Sequence, residues 1–145
     1  MGRRRKAREL AVQVLFHLEF SSDDPDEAFG MICDNFNSRE SVRQFARELA
    51  LGVCEKREVL DRLIRQSSRN WRLERMPHLD RCILRLAVFE ILFMKDIPPK
   101  VSIDEAVEMG KKFGSDDSGG FINGVLDNIY STLVQQGRFE EKSGS

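Results

Sequence analysis

Leu79-Asp80-Arg81-Cys82-Ile83-Leu84-Arg85-Leu86-Ala87-Val88-Phe89-Glu90-Ile91-Leu92-Phe93-Met94 is the stretch on which the fold turns. It is apolar nearly all round: Ile83, Leu84, Leu86, Ala87, Val88, Phe89, Ile91, Leu92 and Phe93 leave no polar face. A helix of that kind is enclosed by its neighbours, so it is predicted to stand at the centre of a bundle. Pro98-Pro99 stops whatever precedes it, because proline lacks an amide N–H and disfavours helix in the residue before it.

The sequence on either side reads as more helix. Upstream, Ala11, Leu15 and Leu18 with Val14 make one apolar face. Ser21 to Pro25 is a turn cluster, and Asp24-Pro25 opens a second helix with Pro at its first position, buried through Ala28, Phe29, Ile32 and Phe36. Asn37-Ser38 breaks it. Ser38 or Ser41 caps a third helix, with Val42, Phe45, Leu49 and Val53 at helical spacing. Gly52 marks a bend before a fourth, through Val59, Leu60, Leu63 and Ile64. Ser67 to Pro77 is an irregular or short-helical connector containing Trp71.

Downstream, Ser102 with Glu105 three residues on forms a capping box for a short helix reaching Gly110. Gly114 to Gly120 is a polar loop. Phe121, Val125, Leu126 and Ile129 mark a last helix to about Val134. Asn123-Gly124 is a hairpin dipeptide, but the helical spacing around it outweighs that signal. The expected architecture is all-α, a compact bundle of six to seven helices. It forms a single domain over residues 1–134, followed by a polar tail, 135–145, that frays.

The chain has 145 residues, 41% hydrophobic and 32% charged, the balance of one soluble globular domain. No apolar run approaches a membrane span. The basic start runs into Glu9, His17 and Glu19, so a secretory signal is not expected either. Cys33, Cys54 and Cys82 are odd in number and far apart, and the histidines are only His17 and His78. Neither a disulfide framework nor a zinc site is expected; no cofactor is called for, and the natural location is the cytoplasm.

The net charge is −1, but its distribution is uneven. Arg3, Arg4, Arg5, Lys6 and Arg8 place five cations before the first acid, Glu9, leaving residues 9–145 at −6. A basic block continuous with a helix points to an anionic partner, and arginine suits phosphate through paired hydrogen bonds. Phe113 and Phe121 flank the loop at Gly114–Gly120 and read either as core or as base-stacking surfaces. Glu74 and Asp80 read as exposed charges at a helix start, with acid–base chemistry the weaker alternative. Asp117-Ser118-Gly119-Gly120 matches part of a serine-protease nucleophile segment, but the chain offers no strands for that scaffold. A DNA-binding helix-turn-helix would need groove-facing polar residues on a recognition helix, whereas the charge lies on the first turns.

Several segments together resemble the NusB transcription antitermination factors of bacteria. They are Arg4-Arg5-Lys6-Ala7-Arg8-Glu9-Leu10-Ala11-Val12-Gln13-Val14-Leu15-Phe16, Phe45-Ala46-Arg47-Glu48-Leu49 with Gly52-Val53, and Ile83-Leu84-Arg85-Leu86-Ala87-Val88-Phe89-Glu90. Further on come Pro99-Lys100-Val101-Ser102-Ile103-Asp104-Glu105-Ala106-Val107-Glu108, and Lys112-Phe113-Gly114 through Phe121-Ile122-Asn123-Gly124-Val125-Leu126-Asp127. The resemblance spans about residues 4–130.

It implies an all-helical, non-enzymatic protein that pairs with a small-subunit ribosomal protein, NusE. The two bind single-stranded boxA RNA and support processive transcription of ribosomal RNA operons in an RNA polymerase antitermination complex. By position, Arg4, Arg5, Lys6, Arg8, Phe113, Asp117 and Phe121 match RNA-binding residues, and Phe16, Glu74 and Asp80 match residues facing the partner protein. Phe16 replaces a Tyr and Asp80 a Glu, and Gly120 stands where a well-known member has Lys. The family includes dimers and monomers, so a homodimer stays open. The alternative is a helical nucleic-acid-binding or protein-interaction module related to the NusB-like domain of RNA methyltransferases.

Overall fold

The computed structural model describes residues 2–35, 39–68 and 72–138. Among them are seven α-helices and no strand: α1 (Gly2–Glu19), α2 (Pro25–Cys33), α3 (Glu40–Glu55), α4 (Arg57–Ser67), α5 (His78–Phe93), α6 (Pro99–Phe113) and α7 (Ser118–Gln135). A 3₁₀ turn, Leu73–Arg75, lies in the connector before α5. The all-α expectation and the helix count hold.

The apolar stretch is α5, and it is central. It packs against α1, α3, α4, α6 and α7, with α2 closing over α1 and α3. Its buried side runs from Cys82 unbroken to Ile91 and includes Arg85 and Glu90. Ile83, Leu84, Leu86, Ile91, Leu10, Leu49, Ile122 and Leu126 are among the largest side chains sealed from solvent. At about 25 cal/mol per Å² of apolar surface removed from water, such a core is the main source of stability.

Local signals set several ends. Asp24 Oδ2 accepts from the amides of Asp26 (3.1 Å) and Glu27 (3.2 Å), capping α2 with Pro25 at its first position. α7 is closed off by Gly137 at φ +74, just past its end, where the Arg138 amide reaches the Leu133 carbonyl at 3.0 Å; glycine takes that left-handed conformation without a Cβ penalty. Asn123-Gly124 lies inside α7, so the helical reading of it stands.

Other local expectations fail. The chain does not bend at Gly52; α3 continues to Glu55 and the break falls at Lys56. Gly52 instead lets the Phe89 ring of α5 rest on the α3 backbone, since a Cβ there would collide with the ring. Ser41 lies inside α3, whose first turn has no side-chain cap. α6 begins at Pro99, three residues before Ser102, so Ser102 and Glu105 cap nothing. The polar loop is shorter than read, because α7 already starts at Ser118. Phe36, the Asn37-Ser38 break, the Ser38 cap, Trp71 and the tail beyond residue 138 lie outside the described residues.

Candidate nucleic-acid and protein interface

α1 is held at both ends by buried ion pairs. Near its start the Arg8 guanidinium donates to Glu90 of α5 through Nε (2.8 Å) and Nη2 (2.9 Å), and Ser102 Oγ of α6 donates to Glu90 Oε1 at 2.8 Å. Near its end Glu19 meets Arg81 Nη2 at 2.8 Å, His78 Nδ1 at 3.0 Å and Arg85 Nη1 at 3.2 Å, all from α5. Arg85 also donates to Asp61 of α4 at 2.7 and 3.1 Å. Burial opposes ionisation of Glu19, but His78 and the three arginines Arg85, Arg81 and Arg57 outweigh it and hold the carboxyl below its usual range. Burial pushes the Cys82 thiol beside them up to about 12, so it stays protonated and unreactive.

These anchors leave α1 one narrow exposed stripe. Lys6, Glu9, Gln13 and Phe16 follow at intervals of three and four, with Glu9 partly buried and Phe20 continuing the line just past the helix end, while Ala7, Leu10, Ala11, Val14 and Leu15 face the core. One end of the stripe is basic. Arg3, Arg4, Arg5 and Lys6 are exposed, on a first turn that carries no acid and whose amides add the positive end of the helix dipole. Arg4 lies over the Phe45 ring at 4.8 Å and reaches Asp96 at 3.3 Å. Arg5 is paired with Glu105 of α6 at 3.0 and 2.7 Å, which raises the Arg5 pKa and lowers that of Glu105. Arg3 and Lys6 form no ion pair among the described residues.

Arg8, matched by position to an RNA-binding residue, is turned away from the surface that its neighbouring cations present. It is 4% exposed and committed to Glu90, because its place on α1 turns it toward α5 instead of out with Lys6.

The other end of the stripe is aromatic. Phe16, 40% exposed, meets Phe20, 63% exposed, edge to face at 5.1 Å, and Phe20 lies 4.6 Å from the His78 ring. Together with Val12, Leu79 and Phe113 they line a groove of about 630 Å³ edged by Glu9, Gln13 and His17. Lys112 crosses from α6 to pair with Glu9 at 3.1 Å and lies over Phe113 at 5.1 Å. The structure thus brings Phe113 together with Phe16. Phe121 sits apart in the first turn of α7, half-buried against the core. Asp117 is exposed just before α7 and makes no cap.

The two carboxylates expected to face the partner are not an acidic patch. Asp80 is 4% exposed and accepts from Ser118 Oγ at 2.9 Å, which fastens the start of α7 to the start of α5. Burial raises its pKa, partly offset by that hydrogen bond. Its position at the α5 start faces the bundle, so the exposed-charge reading is corrected. Glu74 is exposed but paired with Arg65 at 3.0 Å, with the charge of Arg72 also acting on it. Acids do lie beside the groove, where Asp23 pairs with His17 at 2.8 Å. Phe20 and Gln13 were missed from the sequence. The repeat of Lys6, Glu9, Gln13, Phe16 and Phe20 on one stripe was the signal that could have found them.

Among the described residues no group of His, Cys, Asp and Glu is placed to hold a metal, and no helix is long and apolar enough to cross a membrane. The fold and these surfaces define an all-helical recognition domain. Residues 5–131 match the NusB family. A transcription antitermination protein NusB from Desulfatibacillum aliphaticivorans is 46% identical over 142 residues, covering 98% of this chain and 99% of that one. The solved structure of T. maritima NusB superposes with a TM-score of 0.85 at 37% identity, covering 95% and 97%. A structure of the antitermination factors NusB and NusE in complex with double-stranded RNA superposes at 0.84 and 28% identity, covering 91% and 98%. The chain belongs to the NusB family of transcription antitermination proteins, a non-enzymatic family.

Proposed function

We propose that the protein binds single-stranded boxA-type RNA through the basic end of α1 and a small-subunit ribosomal protein, NusE, through the aromatic groove. The observation that carries this reading is the continuous α1 stripe, cationic at Lys6 and aromatic at Phe16 and Phe20. Arg4, Arg5 and Lys6 supply phosphate contacts, with affinity from released counterions. Phe121 and Asp117 lie at the far edge of the RNA path, where unstacked bases meet an aromatic ring. Phe16 and Phe20 supply the exposed aromatic surface that anchors a protein partner. Arg8 acts from beneath, by fixing α1. The solved NusB–NusE complex with double-stranded RNA supports the pairing of a NusE partner and an RNA on this fold. In this reading the protein works in the cytoplasm, within an RNA polymerase antitermination complex on ribosomal RNA operons.

The test is a titration of labelled boxA-like RNA onto the protein, with and without saturating NusE, against the matched duplex and matched DNA. Single-stranded RNA is expected to bind most tightly, and NusE to tighten it. Coupling between two ligands is reciprocal, so RNA must tighten NusE by the same factor. Equal affinities with and without NusE would contradict the shared-stripe mechanism.

A further inference from the structure

Ser102 and Glu105 stand three residues apart inside α6, past its first residues, and both serve the arginine block of α1. Ser102 Oγ donates to Glu90, the carboxylate that holds Arg8. Glu105 takes Arg5 directly, through Nε at 3.0 Å and Nη2 at 2.7 Å, and lies 3.8 Å from Arg8 Nη1. The Glu105 side chain is largely enclosed, while that of Arg5 is 56% exposed. A guanidinium has a side edge and an end edge. Glu105 occupies the side edge, and no other acceptor among the described residues meets Arg5. The end edge, bearing Nη1 and the outer Nη2 hydrogen, is left to solvent, and it matches a phosphate with paired hydrogen bonds.

We propose that Glu105 is the positioning residue for Arg5, clamping one edge of its guanidinium so that the other meets an RNA phosphate as a preformed fork. This rests on the RNA reading of α1. It runs against what charge alone dictates. Glu105 is an anion beside a polyanion's path, and Coulomb repulsion says that its removal strengthens binding. Positioning says the reverse, because a free arginine loses rotamer freedom on binding and a clamped one has already lost it. The two effects separate with salt. Screening shortens to about 8 Å at physiological ionic strength and about 3 Å at 1 M, which weakens the longer-range repulsion more than the contact hydrogen bonds of the clamp.

The experiment measures binding of a fluorescein-labelled single-stranded RNA carrying a boxA element, by anisotropy, over a salt series. The proteins are the parent, Glu105→Gln, Arg5→Ala and the double variant, each checked by thermal melting. Gln keeps the length but has one accepting oxygen where Glu has two, so it cannot reproduce the two-pronged pairing. Glu105→Gln is expected to weaken RNA binding by about three- to tenfold, the equivalent of one immobilised side chain. The loss should grow as salt rises, and should vanish in the Arg5→Ala background. Binding as tight as the parent or tighter at every salt concentration would overturn the positioning role. So would a loss that persists without Arg5. If Arg5→Ala itself leaves RNA affinity unchanged, the RNA reading of α1 falls and this proposal with it; if Arg5→Ala weakens RNA and Glu105→Gln does not, only the proposal falls.

Discussion

Arg8 and Glu90 form a two-pronged ion pair, at 2.8 and 2.9 Å, between α1 and α5, with 4% of one side chain and 1% of the other exposed. Removing one partner of such a pair strands a buried charge. Arg8→Ala is therefore expected to cost about 3–5 kcal/mol of folding stability. Urea denaturation checks this, and a stability loss below 1 kcal/mol would show that Glu90 finds other solvation. Any RNA effect of Arg8→Ala must be read per folded molecule.

Arg4, Arg5 and Lys6 are exposed, unlike Arg8, so their replacement separates binding from folding. The triple alanine variant is expected to keep the parent's melting temperature and to lose RNA affinity strongly. Each lost phosphate contact should flatten the salt dependence of log K by about 0.7 for a single strand. An unchanged slope would remove α1 from the RNA path.

Phe20 projects from the groove beside Phe16. Phe20→Ala is expected to weaken NusE binding by about 1–2 kcal/mol, the range of an aromatic interface anchor, with RNA binding in the absence of NusE unaltered. Calorimetric titration of NusE distinguishes this from a general loss of fold. An unaffected NusE affinity would shift the partner surface elsewhere.

The Asp80 carboxyl has its pKa raised by burial, with Ser118 offsetting part of the rise. Folded Asp80 holds a proton at a pH where the unfolded chain has released it. Its ionisation therefore costs stability as pH rises through the folded pKa, and that cost is absent below the unfolded value. Asp80→Asn keeps an acceptor for Ser118 Oγ without the charge. The variant should be more stable than the parent at pH 7 and lose that advantage on acidification. Urea melts over a pH series give the answer, and a difference that does not change with pH would contradict it.

Gly52 faces the Phe89 ring with no room for a Cβ. Gly52→Ala is expected to destabilise by about 1–3 kcal/mol through overpacking. Shortening the ring in Gly52→Ala/Phe89→Leu should recover part of it, so the two changes will not add. Additive losses would place the cost in the α3 backbone instead.

The unbroken apolar run of α5 determined from sequence alone that a helix lies at the centre of an all-α bundle, because a helix without a polar face is stable only when enclosed. Asp24-Pro25 and the helical spacing around Asn123-Gly124 were equally legible, since caps and periodicity act over a few residues. The cation block and the family resemblance pointed to the start of α1, where Arg3, Arg4, Arg5 and Lys6 are exposed. What each charge does there was decided only by the tertiary structure. Arg5 and Arg8 are the same residue type three apart, yet one is exposed and the other is buried on Glu90, 82 positions away. Ser102 and Glu105 have the spacing of a cap but serve arginines on another helix, and Asp80 turns inward to Ser118. Charges and hydroxyls take their roles from long-range partners and from burial, and helical periodicity carries no information about which distant residue will lie opposite.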